Sequence, residues 1–132
     1  MGTFGNIQKA LDTRLNSLPN RPYVAWPNTK FNPTQGSAFI RPTMIPASSD
    51  IFTLNDVHLN PGIYQVDVYV PVEKGVGACL NIIDDIKDLF EASRILIANN
   101  TQVFIQSISL GQLQREEAWF RCYLEINYSC YE

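Results

Sequence analysis

Apolar residues recur at spacings of three and four along the first part of the chain: Phe4, Ile7, Leu11, Leu15 and Leu18. That period places them on one face of a helix. Gln8, Lys9, Asp12, Thr13 and Asn16 fall away from this face, and Arg14 flanks its edge. Thr3 is placed to cap the helix, and Pro19 and Pro22 end it. The same period returns from Val76 to Ser93. There Cys79, Ile82, Ile83, Ile86, Leu89 and Phe90 form the buried stripe, and Asp84, Asp85, Lys87, Asp88 and Glu91 the wet side.

Elsewhere the pattern alternates, as strands require. Tyr64, Val66, Val68, Val70 and Val72 share one face, and Gln65, Asp67 and Tyr69 the other. Phe120, Cys122, Leu124, Ile126 and Tyr128 oppose Trp119, Arg121, Tyr123, Glu125 and Asn127 in the same way. The run from Gln102 to Leu110 predicts a third strand, with Phe104, Ile108 and Leu110 on one face and Val103 and Ile105 on the other. Tyr23 to Trp26 reads as a short strand, and Arg94 to Asn100 as a short strand or extended link. Asn28 to Ser37, Ser48 to Asn60 and Gly111 to Glu117 read as loops, and Asn60-Pro61-Gly62 as a turn. The order of helix, strands, helix, strands predicts an α+β fold. Its mainly antiparallel sheet carries two helices packed on one face, in a single domain over 1–132.

The run AFIRPTMIPA, Ala38 to Ala47, breaks the pattern. It starts as a strand, yet Pro42 interrupts it and Pro46 closes it. Proline donates no backbone hydrogen bond and is kept to edges, bulges and strand ends. The segment therefore reads as an edge or bulged strand.

Composition narrows the function classes. Hydrophobic residues make up 45% of 132, enough for a folded core. A net charge of −3 argues against a broad electrostatic footprint for nucleic acid. No apolar run approaches the roughly 20 residues that span a bilayer, and the N-terminus lacks a signal-like apolar core. Three cysteines without such a signal read as free thiols. Cys122 and Cys130, eight apart on one strand, are too distant to bridge.

Candidate chemistry is sparse. The single histidine, His58, has no serine or cysteine near it in sequence. No C-x-x-C pair suggests zinc. Gly75-Val76-Gly77 stands between a strand and a helix, but Leu80 replaces the third glycine of a dinucleotide fingerprint, so it reads as a plain turn. Asp84, Asp88 and Glu91 read as a solvated face rather than a cation site. Trp26 and Trp119 read as core or interface anchors. The residues thus describe a non-enzymatic domain with no cofactor or metal. A small enzyme or ligand-binding domain using His58, Asp67 or the acidic helix face is the weaker alternative.

Several segments taken in order resemble the tail terminator and tail-completion proteins of long-tailed bacteriophages, including prophage-encoded members. They are LDTRLNSLP (Leu11 to Pro19), VAWPN (Val24 to Asn28), FIRPTMIPA (Phe39 to Ala47) and GIYQVDVYVPVEKGVG (Gly62 to Gly77), followed by a helix and an alternating last strand. The resemblance implies a structural virion protein assembled in the host cytoplasm. It implies a hexameric ring of this chain on the tail tube, in contact with tube protein and head–tail connector, with DNA passing unread. A monomer in solution is compatible with this role. Another neck or tail component, such as a connector or tube subunit, is the alternative. The expected contact residues are Phe39, Arg41, Pro42 and Met44, where prolines limit edge pairing, and the charged turn Arg115, Glu116 and Glu117.

Overall fold

The computed structural model describes residues 2–27, 29–32, 37–47, 50–51 and 58–131. In chain order the elements are α1 (Thr3–Asn16), β1 (Tyr23–Val24), β2 (Phe39–Pro46), β3 (Asp50–Ile51) and β4 (His58–Pro71). A 3-10 turn (Val72–Lys74) leads into α2 (Gly75–Ala92), followed by β5 (Ile95–Ala98), β6 (Thr101–Leu110), β7 (Gln114–Glu116) and β8 (Trp119–Tyr131). Gly75 makes the entry to α2 at φ 83°, a conformation that favours glycine.

The two best alternating runs pair with each other. β4 and β8 run antiparallel from Leu59 opposite Tyr131 to Pro71 opposite Trp119. They form the centre of one sheet, ordered β1-β2-β4-β8-β6-β5, with β3 paired to β4 and β7 to β8. Among the described residues only β1 and β2 pair in parallel. Alternation turns Tyr64, Val66, Val68 and Val70 of β4 and Cys122, Leu124, Ile126 and Tyr128 of β8 to one buried face. Both helices cover that face. α1 lies over β5 and β6, and α2 over β8 and β4. Ile7, Leu11 and Leu15 meet Ile83, Ile86 and Phe90 in the same core. Each such side chain contributes about 1.5–3 kcal/mol by burial. The α+β architecture with two helices on one face is the one that the periodicity predicts.

Local expectations fare unevenly. Thr3 starts α1 rather than capping it; Gly2 occupies the cap position without a side-chain bond. Asp12 is half-buried and accepts a hydrogen bond from the Tyr64 hydroxyl across the core. Asn60-Pro61-Gly62 is no turn but lies within β4, and the Pro61 carbonyl accepts from the Ala47 amide at 3.0 Å. Gly62 is required because a Cβ there would meet the Tyr128 phenol and the Ile45 carbonyl.

A bulge between Ile105 and Ser107 corrects the face assignment in β6. One extra residue reverses the alternation. Ile108 and Leu110 therefore pair with Ile126 and Leu124 on the same face as Val103 and Ile105. Arg94 stabilises the bulge by donating to the Ile105 and Gln106 carbonyls at 3.4 and 3.2 Å. Asn99 and Asn100, at φ 48° and 68°, make the tight two-residue turn that commits Ile95–Ala98 to a strand. The stretch Gly111 to Glu117 contains a strand, β7, as well as loop. Part of the loop expected over 48–60 lies outside the described residues; β3 and the start of β4 occupy the rest.

The free-thiol expectation is corrected for two cysteines. Cys79 on the sheet-facing side of α2 and Cys122 on β8 are joined in a disulfide, with Cα atoms 7.0 Å apart. Their pairing follows from α2 packing its buried stripe onto β8. Cys130 is buried further along β8.

Candidate functional site

The face of the sheet opposite the helices carries an aromatic and ionic cluster where β2, β4 and β8 meet. Strand alternation puts Phe39 opposite Tyr69, Arg41 opposite Asp67, and Asp67 opposite Tyr123. Phe39 stacks on Tyr69 at 4.6 Å and meets Trp119 edge-on at 5.1 Å. Phe31, from the segment before β2, packs against Phe39 at 5.0 Å. These rings leave Phe39 only 4% exposed. The Arg41 guanidinium lies 5.9 Å and 5.6 Å from the Phe39 and Tyr69 ring centres, and its side chain remains exposed.

Beside the rings, Arg121 donates to Asp67 at 2.8 Å, and Gln65 donates to the same carboxylate oxygen at 3.0 Å. Glu116, on β7, lies 3.9 Å from Arg121. Burial raises the Tyr69 hydroxyl above its ordinary pKa, and the Asp67 charge adds to it. Burial works against the Arg121 charge, but Asp67 and the neighbouring groups outweigh it and hold the guanidinium above its ordinary value. The two charges of this partly buried pair thus compensate each other beside the aromatic rings.

The fold draws the two groups of candidate residues together. Phe39 and Arg41 share this platform with Glu116, although more than seventy positions separate them in sequence. Arg115 pairs opposite Phe120, and Glu117 occupies the β7–β8 turn at φ 55°. All three charged residues are exposed. Pro42 is buried and Met44 half-buried on the helix side of β2. Phe39 and Pro42 therefore shape the surface from beneath, while Arg41, Arg115, Glu116 and Glu117 present it.

The register explains the prolines. The Ala47 amide bonds inward to Pro61 of β4, and the Ile40 carbonyl bonds outward to the Ala25 amide at 2.8 Å. By alternation, the backbone groups of Pro42 and Pro46 face outward, away from β4. Prolines there cost β2 no bond to β4 and remove donors from its outer edge.

The other end of the sheet is a feature that the sequence reading missed. β5 is its last strand, and Ile95 and Ile97 are 49% and 64% exposed. The signal was present in the alternation of Ile95, Leu96, Ile97 and Ala98 before an Asn-Asn turn. His58 opens β4, and its side chain is not among those described. Asp84, Asp88 and Glu91 are exposed on α2. Among the described residues no cluster of His, Cys, Asp or Glu is arranged to hold a metal. Among the described residues no helix is long and apolar enough to cross a membrane.

These features define a small α+β scaffold with an aromatic and ionic cluster on the sheet face opposite its helices. The family model described as phage tail terminator protein matches residues 6–128, and the chain belongs to this family. It is a structural component of a bacteriophage tail. A solved structure is similar at 25% identity and a TM-score of 0.77, over 94% of this chain and 92% of its own. No curated protein matches.

Proposed function

We propose that this protein caps the tail tube, ends its polymerisation and forms the tail-side surface for head joining. The observation that carries the reading is the tail terminator match over residues 6–128. In this reading six copies close into a ring, whose partners are the tube protein on one side and the head–tail connector on the other. The chain acts by contact, without catalysis or cofactor. The blunted β2 edge supports it, since a terminator must end a growing array without extending it through an open strand. Arg41 on its aromatic platform, Arg115 and Glu116 of β7, and Glu117 of the turn after it are the contact residues that we assign to this role.

The test is tail length. Disrupting the gene in its phage or prophage, inducing, and imaging particles by negative-stain electron microscopy should give overlong, headless tails. Supplying the protein should restore normal length. Normal-length tails that fail to join heads would move the role to a connector or completion step. Unaltered infectious particles would overturn the reading.

A further inference from the structure

A groove of about 620 Å³ runs between α1 and β5. Lys9, Thr13 and Arg14 form its α1 wall, and Ile95 to Asn99 its floor and rim. Lys9 and Arg14 make no ion pair among the described residues. The β5 rim is itself unfinished. The Arg94 carbonyl bonds inward to the Ile105 amide. Alternation then turns the backbone groups of Ile95 and Ile97 outward, where no strand follows among the described residues. β5 also lacks the prolines and charges that blunt an edge. One natural way to cover such an edge is a helix.

The opposite side of the molecule offers that helix. Asp85, Asp88 and Leu89 of α2 face the end of α1, where they line a groove with Leu18, Pro19 and Asn20. The flank of α2 turned away from α1 therefore carries Val76, Leu80, Asp84, Lys87 and Glu91, at helical spacings of four, four, three and four. Val76 is 38% exposed, and Asp84 and Glu91 are exposed carboxylates; Glu91 pairs with Lys87 at 3.4 Å, so the flank keeps a net negative charge through Asp84. The two surfaces are complementary in charge. They also lie on opposite sides of the molecule, because α1 covers the β5 end of the sheet and α2 its β4 side.

We propose that the α1–β5 groove of one copy receives the outer flank of α2 of a second copy, with Lys9 and Arg14 facing Asp84 and Glu91. The proposal rests on the reading of the chain as a self-assembling tail protein and supplies the contact between neighbours. Because different patches meet, the contact is head-to-tail. Repetition closes a ring when the rotation per copy divides the circle.

The test mixes isotopically light and heavy protein, at high concentration and on isolated tails. A carbodiimide is added, which joins an ammonium directly to a carboxylate in contact with it. Light–heavy peptides linking Lys9 to Asp84 or Glu91 are expected. Two variants accompany it: groove reversal (Lys9→Glu with Arg14→Glu) and flank reversal (Asp84→Lys with Glu91→Lys). Each alone should enter tails at least tenfold less than the unmodified protein, and a chain carrying both reversals should recover. Unchanged melting temperatures would show that these surface variants fold.

The proposal is overturned if links between copies map elsewhere, or if each reversal enters tails normally. It is also overturned if the doubly reversed, folded chain stays excluded. Normal tail length in the gene disruption, together with the expected cross-links, would remove the terminator reading and leave the interface. Restored tail length with no such link would do the opposite.

Discussion

The two ends of the sheet solve the same problem differently. At one end, β2 turns proline nitrogens outward at two positions and shelters Phe39 and Ile40 behind β1. At the other end, β5 turns outward the full backbone of two isoleucines whose side chains are half-exposed or more. An edge made of ordinary residues invites pairing, whereas one made of prolines refuses it. One chain with one closed and one open edge is suited to associating in one direction only. The central strands β4 and β8 pair without interruption from Leu59 opposite Tyr131 to Pro71 opposite Trp119, so the contrast arises toward the rims.

The largest expected effect tests how firmly the closed edge is built. Pro46 pairs with Gly62, and the Tyr128 ring covers Gly62 from the next strand. Tyr128 is 2% exposed, and burial, with the Cys130 charge adding, pushes its hydroxyl up to about 12. Gly62→Val should cost about 3 kcal/mol, because neither the buried ring nor the Ile45 carbonyl can retreat cheaply. Urea unfolding monitored by tryptophan fluorescence would measure it. A cost under about 1 kcal/mol would mean that the seam between β2 and β4 yields easily.

A smaller effect is expected at the open edge, which is held by side chains. Buried Asn6 donates to Thr101 at 3.0 Å and accepts from Asn99 at 3.1 Å, clamping α1 to both sides of the β5–β6 turn. Asn6→Ala should cost about 1–2 kcal/mol. It should also accelerate hydrogen exchange at Leu96 and Ala98 more than at Val66 or Leu124. Uniform acceleration would contradict the view that the β5 end is a locally secured unit.

Smaller still in stability, but direct, is exchanging the character of the two edges. Pro42→Ala should lower stability by only about 1 kcal/mol while adding an outward donor, so light scattering should report more association. Ile97→Lys should leave stability nearly unchanged and reduce association, as a charged edge does. If Pro42→Ala changes neither solubility nor assembly, the prolines are a packing accident of β2 and the contrast between the edges disappears.

How much of this was legible in sequence depended on whether a residue answers to its neighbours or to the fold. The β4 and β8 alternations and both amphipathic stripes are local, and each predicted the correct face except at Phe4, which is 48% exposed, and at Val72, which belongs to the 3-10 turn after β4. The bulge at Gln106 was not legible, because its backbone groups are satisfied by Arg94 from another segment. Asn60-Pro61-Gly62 has the composition of a turn, yet central pairing and the space needed by Tyr128 hold it extended. The Cys79–Cys122 disulfide needed the helix placed on the strand. The candidate contact residues were legible as unusual but not as neighbours: only the register of β7 on β8 brings Glu116 beside the Phe39 platform. The open β5 edge was missed because strand order is a property of the whole sheet.

The smallest test concerns the helix that walls the β5 groove. Asp12 of α1 accepts from Tyr64 of β4, so α1 is tied to the sheet centre as well as to the β5 end. Burial raises the Asp12 carboxyl above its ordinary value, and the bonds from Tyr64 and Gln8 oppose this without cancelling it. The folded state therefore keeps the proton to higher pH than the unfolded chain. Between the unfolded value, about 3.9, and the raised folded value, the native state binds more protons. Its stability from this group falls as pH rises through that window and stays lower above it. Asp12→Asn keeps an oxygen to accept from Tyr64 and removes the desolvated charge. The variant should be at least as stable as the parent at neutral pH, with this advantage lost below about pH 4. Paired urea midpoints across that range would measure it. Exchange at Leu96 and Ala98 should not change, in contrast to Asn6→Ala. A parent clearly more stable at neutral pH would mean that the charged bond to Tyr64 outweighs desolvation, and that the groove wall is held chiefly from the centre of the sheet.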